Sequence, residues 1–305
     1  MANIAKIFVI IVTYRGHRWY ERCFRSLRNS EYPVQTIVID NASNDGSVEY
    51  IREHFPEIHL IESKENLGFG RANNLGMRYA LDNGCDYVFL LNQDTWIEPN
   101  SISELVHIQQ KYPEYGVISP MHVTADQKGL YIQIEDGKID HANTLLSDCY
   151  FQSLKDVYTF KYINAAAWLM TRRTLEIVGG FDPIFFLYGE DDNYLQRMEY
   201  HGVKLGLAPK IQITHDHQNV EKNNTNENIH YRAIQSKLSK YTNVLKPLSI
   251  QKYLRYLYCK LLFNLFLFNK QSTIQCKEEI RLLRKYKLHI QNSRRINSIK
   301  QPSWL

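Results

Sequence analysis

Three polar side chains emerge where an apolar, β-branched run stops: Asp40 after Thr36-Ile-Val-Ile39, Asp94 after Tyr87-Val-Phe-Leu-Leu91, and His215 after Ile211-Gln-Ile-Thr214. A fourth group, Glu190-Asp191-Asp192, opens a helical pattern. The run from Tyr87 to Leu91 has no polar alternation, so it reads as a strand covered on both faces. In open α/β sheets the carboxyl ends of such strands border the ligand crevice. Asp94 there could hold a divalent cation or a sugar hydroxyl. Asn92 to Thr95 equally suit a plain turn, acids at a helix N-terminus suit the macrodipole, and a lone histidine is commonly structural.

The elements that would position these groups follow an alternating order. Ile7 to Val12 forms a first strand, with Thr13-Tyr14-Arg15 as its polar exit, and Tyr20, Phe24 and Leu27 give one helical stripe. Thr36 to Asp40 is a second strand, Asn41 to Ser47 a turn cluster, and Val48 to Phe55 a short helix. Strand-helix repetition of this kind predicts a parallel sheet with right-handed crossovers. A third strand, Ile58 to Ile61, leads to Asn66-Leu-Gly-Phe-Gly-Arg-Ala-Asn-Asn74, where Asn73 occupies the third glycine position of G-x-G-x-x-G and so excludes a nicotinamide site. The helix from about Arg71 places Ala72, Leu75, Gly76, Tyr79 and Ala80 on the core face. Arg71 and Asn74 share a second face that can turn to the crevice or be an ordinary solvated face, the latter reading suiting Asn74 better than Arg71, which adjoins a glycine-flexed loop whose backbone can approach a phosphate.

Farther along, Ser101 to Gln110 is helical and Gly116 to Ser119 a short strand. Residues 121 to 160 read as an antiparallel edge with turns at Asp126 to Gly129 and Glu135 to Gly137. Tyr162 to Met170 is a strand whose Ala165, Ala166 and Ala167 clear space for a helix or a ligand. Gly179-Gly180-Phe181-Asp182-Pro183 breaks the chain, a helix runs from Glu190 to about His201 before Gly202, and Lys204 to Leu207 and Ile211 to Thr214 are two short strands.

Composition, with 44% hydrophobic and 23% charged residues, is that of a soluble globular protein. Five scattered cysteines without a C-x-x-C pair argue against a disulfide framework and a zinc site, and a reducing cytosol fits them. Ile7 to Val12 is too short to span a membrane and reads as a strand, not a signal peptide. The net charge of +5 conceals an asymmetry: residues 1 to 217 hold 20 Lys and Arg against 28 Asp and Glu, and residues 218 to 305 hold 17 against 4. An acidic body of residues 1 to 217 therefore carries a basic, largely helical C-terminal region of residues 218 to 305. Residues 218 to 230 read as a connector or lid. Leu254, Leu257, Leu261, Leu265 and Phe268 recur at helical spacing among basic residues, which suits an anionic membrane surface, packing on the body, or a homodimer contact.

Taken in order, Val12-Thr-Tyr14, Asp40 to Ser47, Asn66 to Asn74, Leu91 to Thr95, Gly179 to Asp182, Gly189-Glu-Asp191 and His215 resemble the inverting glycosyltransferases of family 2, over roughly residues 5 to 217. The rhamnosyltransferase-like branch is the nearest in flavour. The resemblance implies the α/β GT-A fold, a Rossmann-like, mostly parallel sheet flanked by helices. It implies transfer from a UDP- or dTDP-sugar to a glycan, or lipid-linked glycan, acceptor in surface polysaccharide synthesis. Thr13, Tyr14, Arg15 and Asp40 would line the nucleoside pocket, and Asn66, Gly68, Arg71, Asn92 and Gln93 the rest of the donor site. The family's D-x-D appears as Asn92-Gln93-Asp94, which leaves Asp94 with His215 for Mg²⁺ or Mn²⁺. Asp191 matches the base of the family's Glu-Asp motif, with Glu190 on a hydroxyl or holding the loop. Trp168 is either an acceptor platform or a core tryptophan. Nucleic acid is not an expected partner, and cytoplasmic residence, peripheral on the membrane, is. A sugar nucleotidyltransferase would need a glycine-rich signature at the first strand, which Thr13-Tyr14-Arg15 lacks; a non-catalytic carbohydrate-binding scaffold is the other alternative.

Overall fold

A computed structural model of the chain describes residues 4–130, 144–216 and 226–305, with side chains of 226–229 left aside. The turn at Glu135 to Gly137, His217 and most of the connector lie outside the described residues. The centre is a nine-stranded sheet in the order β3-β2-β1-β4-β8-β6-β9-β5, with β7 also on β9. Here β1 is Ile7–Thr13, β2 Gln35–Asp40, β3 His59–Glu62, β4 Tyr87–Leu91, β5 Thr95–Ile97, β6 Tyr115–Thr124, β7 Tyr158–Phe160, β8 Ala167–Thr171 and β9 Lys204–His215. Strands β3, β2, β1 and β4 are mutually parallel, and β8 is antiparallel to both β4 and β6. With β6 parallel to β9, six strands run one way and put Thr13, Asp40, Leu91 and His215 at the same end of the sheet. The sheet is thus mostly parallel, as the alternating pattern predicts, and its helix-covered faces explain why all five residues of β4 are buried.

Helices α1 (His17–Arg28), α2 (Ser47–His54), α3 (Phe69–Asp82), α4 (Ser101–Lys111), α5 (Leu145–Tyr150), α6 (Arg172–Val178) and α7 (Glu190–Tyr200) surround it. Buried Tyr20, Cys23, Phe24 and Leu27 form the expected stripe of α1. The face assigned to α3 needs correction. Leu75 is exposed, whereas Asn73, Asn74 and Met77 are buried. The reason is a polar demand of the neighbouring turn: Asn74 accepts from Phe181 N at 2.7 Å and donates to Phe181 O at 2.8 Å, which satisfies both backbone groups of a buried residue.

Three strand assignments also change. Lys204 to Leu207 and Ile211 to Thr214 are one strand, β9, because the long β6 pairs along its whole length and a register shift at Pro120/Met121 absorbs the irregular middle. The strand expected from Tyr162 starts only at Ala167, and Tyr158–Phe160 is a separate strand against β9. Thr95, the last residue of the segment that suited either a turn or a site, opens a three-residue strand on β9, Thr95–Ile97, which the sequence reading did not include.

The basic C-terminal region forms α8 (Asn226–Thr242), α9 (Ile250–Phe266) and α10 (Lys270–Asn297). Ser249 and Asn269 cap the last two by accepting from Lys252 N and Ser272 N. Leu238, Tyr241, Ile250, Leu257, Ile280, Leu283 and Ile290 build one apolar cluster with Phe185 of the transverse loop before α7. Asp182 closes the join: it accepts from Ser293 Oγ at 2.5 Å and Asn297 Nδ2 at 2.8 Å, both on α10. Near the chain end, Ser303 O accepts from Gly180 N at 2.8 Å. Buried Arg197 donates to Val178 O and Gly180 O, so the same glycine turn is held from the core side. The predicted stripe of α9 splits: Leu257 is buried and Leu254 and Leu261 pack on the cluster, but Leu265 and Phe268 are exposed.

Candidate active site

The register of β5 on β9, Thr95 opposite His215, brings the end of β4 to the end of β9. Asp216 N donates to Asp94 O at 2.8 Å, and His215 Nε2 stands 3.4 Å from Asp94 Oδ1. Behind His215 lies fully buried His122, its ring 5.8 Å away, held neutral because burial and the second imidazole push it down to about 3. On the other side of Asp94, the Gln93 amide spans Tyr14: it accepts from Tyr14 N at 3.0 Å and donates to Tyr14 O at 3.2 Å. Gln93 therefore ties the loop after β1 to the loop after β4, and it lies against Gly16, where a Cβ would stand 2.1 Å from Gln93 Oε1.

Six of the predicted residues, Tyr14, Asn66, Gly68, Asn92, Gln93 and Asp94, line one cleft of about 270 Å³ at this end of the sheet. Its other wall is Phe186 and Leu187. Thr13 and Asp40 lie buried beneath it, Thr13 Oγ1 donating to Asp40 Oδ1 at 3.1 Å and Ser43 N to Asp40 Oδ2 at 2.8 Å. Arg15 sits exposed at the rim, fixed through its N–H to Ser43 Oγ at 3.0 Å. Gly68 has φ +79°, and a Cβ there would stand 2.0 Å from Phe186 O, so only glycine allows the 66–68 loop to meet the Phe186 wall.

Two predicted residues take other places. Arg71 is turned outward beside Glu65, 4.0 Å away, and shares no crevice face with Asn74, which is committed to Phe181. Trp168 is fully buried, with its ring among Phe181 and Tyr194, so it presents no face to an acceptor and is a core residue.

The acids opening α7 face the cleft end of β8. Ala165 N donates to Asp191 Oδ2 at 3.1 Å, and the adjacent Ala166 O accepts from Asn92 N at 2.9 Å. The alanines clear the space through which that carboxylate reaches main chain. Among the described residues no donor meets Asp191 Oδ1 or Glu190 Oε2, both sealed from solvent. Burial raises both carboxyls well above the usual range, and for Glu190 the neighbouring Asp191 adds to the effect. One group of the pair is thus poised to accept a proton near neutrality.

Residues 8–173, more than half of the chain, match the family described as Glycosyl transferase family 2. The chain belongs to glycosyl transferase family 2. Among similar curated proteins, an N-acetylglucosaminyl-diphospho-decaprenol L-rhamnosyltransferase of Mycobacterium tuberculosis is 25% identical over 240 residues, 68% of this chain and 75% of that protein. A dTDP-rhamnosyl transferase of Shigella flexneri is 22% identical over 212 residues, 69% of each chain. In fold, this transferase is similar to a mannosyltransferase of Pyrobaculum calidifontis solved with GDP-Man and Mn²⁺, with TM-score 0.57, 18% identity and coverage of 81% of this chain and 66% of that one. Staphylococcus aureus TarS 1-349 with UDP gives TM-score 0.52 at 14% identity, covering 96% and 89%.

The family 2 transferase offers a cation a carboxylate oxygen and an imidazole nitrogen 3.4 Å apart, a spacing that one ion can bridge. No set of three His, Cys, Asp or Glu gathers there among the described residues. Two protein donors fit a hard cation that takes its remaining ligands from phosphates and water. Sequence reasoning missed Asn41, which accepts from Leu67 N at 2.7 Å and donates to Gly68 O at 3.1 Å, and it missed the Phe186-Leu187 wall. The apolar run Phe185-Phe-Leu-Tyr188 directly before an acidic helix start was the signal for that wall.

Proposed function

We propose that this family 2 transferase moves a sugar from a UDP- or dTDP-linked donor to a hydroxyl of a glycan acceptor carried on a lipid, with inversion at the anomeric carbon. The observation that carries the reading is the pair of contacts made by consecutive residues: Ala165 holds Asp191 and Ala166 holds Asn92. A carboxylate suited to proton transfer is thereby fixed beside the segment that ends at Asp94. The names of the mycobacterial and Shigella relatives support a dTDP-linked donor and a lipid diphosphate-linked acceptor.

In this reading the nucleoside enters the cleft between Tyr14 and the Asn66–Gly68 loop, above Thr13 and Asp40. Asp40 already accepts two hydrogen bonds and retains lone pairs for a pyrimidine imide N–H. Arg15 stands at the rim, and Arg71 would need to leave Glu65 to reach the diphosphate, a contact worth making because a guanidinium pairs two phosphate oxygens at once. Asp94 and His215 would hold Mg²⁺ or Mn²⁺, whose charge offsets that building on the leaving diphosphate. Asp191 takes the acceptor hydroxyl proton as that oxygen bonds the anomeric carbon, while the breaking bond's electron pair stays on the diphosphate oxygen. Glu190, kept protonated by burial beside Asp191, donates to an acceptor or donor oxygen.

The test is thermal stabilisation by dTDP, UDP and GDP, each with and without Mn²⁺, followed by product stereochemistry. A pyrimidine diphosphate that raises the midpoint only with the cation, and an inverted product, is the expected result. Selective stabilisation by GDP, or a retained anomer, overturns it.

A further inference from the structure

The α9–α10 hairpin has a tip unlike the rest of the surface. Between Leu262 and Gln275 only Asn264 and Thr273 are buried, and Asn264 Nδ2 reaches Cys276 Sγ across the hairpin at 3.7 Å. The remaining large side chains there stand in solvent: Phe263 is 61% exposed, Phe266 78%, Leu267 54% and Phe268 90%. Leu261, the last residue of α9 that packs on the shared cluster, is seven positions from Phe268, so the tip projects roughly 10 Å beyond the shared core at ~1.5 Å per residue. An apolar patch of this kind on a projecting end marks an interaction surface.

Charge decides the occupant. From His230 to Lys277 the chain carries nine Lys or Arg and no Asp or Glu, and Lys260, Lys270 and Lys277 flank the tip in exposed positions. Two copies meeting tip to tip would bring these cations together, whereas an anionic bilayer surface attracts them. The uncharged run from Leu261 to Asn269 is nine residues, and no described helix is long and apolar enough to cross a membrane. That length suits entry to the headgroup and upper acyl region only, ~5–10 Å deep.

We propose that the α9–α10 tip inserts end-on into an anionic lipid surface, with Phe263, Phe266, Leu267 and Phe268 in the acyl boundary and Lys260, Lys270 and Lys277 at the headgroups. This differs from a helix lying along the surface on its Leu254, Leu257, Leu261 stripe, because that stripe is spent on the cluster with Phe185. The same cluster ties the hairpin to the loop five residues before Glu190, so docking presents the acceptor side of the site close to lipid. The proposal goes beyond the transferase reading and stands without it.

The experiment uses the full chain with no sugar nucleotide present. Co-sedimentation is measured with vesicles of equal parts phosphatidylglycerol and phosphatidylcholine, and with phosphatidylcholine alone. The wild-type chain binds the anionic vesicles and loses them as salt rises, and the Phe266→Glu/Phe268→Glu variant binds at least about tenfold more weakly. The indole of Phe268→Trp shifts to the blue only on anionic vesicles. Equal sedimentation of the double variant, an unshifted indole, or no vesicle binding by the wild-type chain overturns the proposal. A dimer that the double variant splits, with no vesicle binding, assigns the tip to a second copy instead.

Discussion

Replacing Asp191 with Asn should make the protein more stable and less active, and both effects should grow with pH. The folded state raises the Asp191 carboxyl above its unfolded value, mainly by burial. The folded chain then binds more protons than the unfolded chain between the ordinary carboxylate range and the raised value. Stability must fall as pH rises through that window. Each unit of displacement is ~1.4 kcal/mol, and the carboxylate is shut away from solvent at Oδ1, so the effect is on the order of a few kcal/mol, fully developed above the raised value. Asparagine keeps an oxygen for Ala165 N and does not titrate. Denaturant melts of both proteins at pH 5 and pH 8 read the difference, which should widen at pH 8 in favour of Asp191→Asn. Transfer by that variant should fall by at least about a hundredfold, the usual contribution of a general base, with nucleotide binding intact. A parallel pair of stability curves, or a variant that retains its rate, would refute the assignment of a raised, proton-accepting carboxylate.

Asp94→Ala and His215→Ala should each abolish the extra stabilisation that Mn²⁺ gives in the presence of dTDP or UDP, read as a midpoint shift, because each removes one of two protein donors. Gly68→Ala should destabilise by about 2 kcal/mol or more in denaturant melts, since it combines φ +79° with a backbone oxygen 2.0 Å from the new carbon. Trp168→Phe should leave the acceptor KM unchanged, because the indole is wholly inside the core, and should destabilise by about 1–3 kcal/mol in denaturant melts through the cavity it leaves. Gln93→Ala should raise the donor KM by several-fold by releasing Tyr14 N and O, measured under saturating acceptor.

Much of the fold was legible because buried parallel strands leave unbroken apolar runs, and the polar residues ending them mark the ligand edge. Asp40, Asp94 and His215 could be placed at strand ends from that pattern alone. The assignment of α3 failed at Leu75 because periodicity scores apolarity, and Asn74 is buried to serve the backbone of Phe181, 107 positions away. Trp168 shows the reverse: a residue type suited to sugars, whose burial depends on Phe181 and Tyr194 from a distant segment.

The alternation of strands and helices, the basic C-terminal region and the residue types at each strand end follow from local order and composition, and could be read along the chain. It took the folded arrangement to bring Asp94 to His215 through the pairing of β5 with β9, to hold Asp191 on the main chain at Ala165, and to turn Leu254, Leu257 and Leu261 of α9 inward while leaving its tip in solvent. Those outcomes depend on contacts between residues far apart in the chain, where the competition for hydrogen bonds and burial is settled by neighbours that no local pattern encodes.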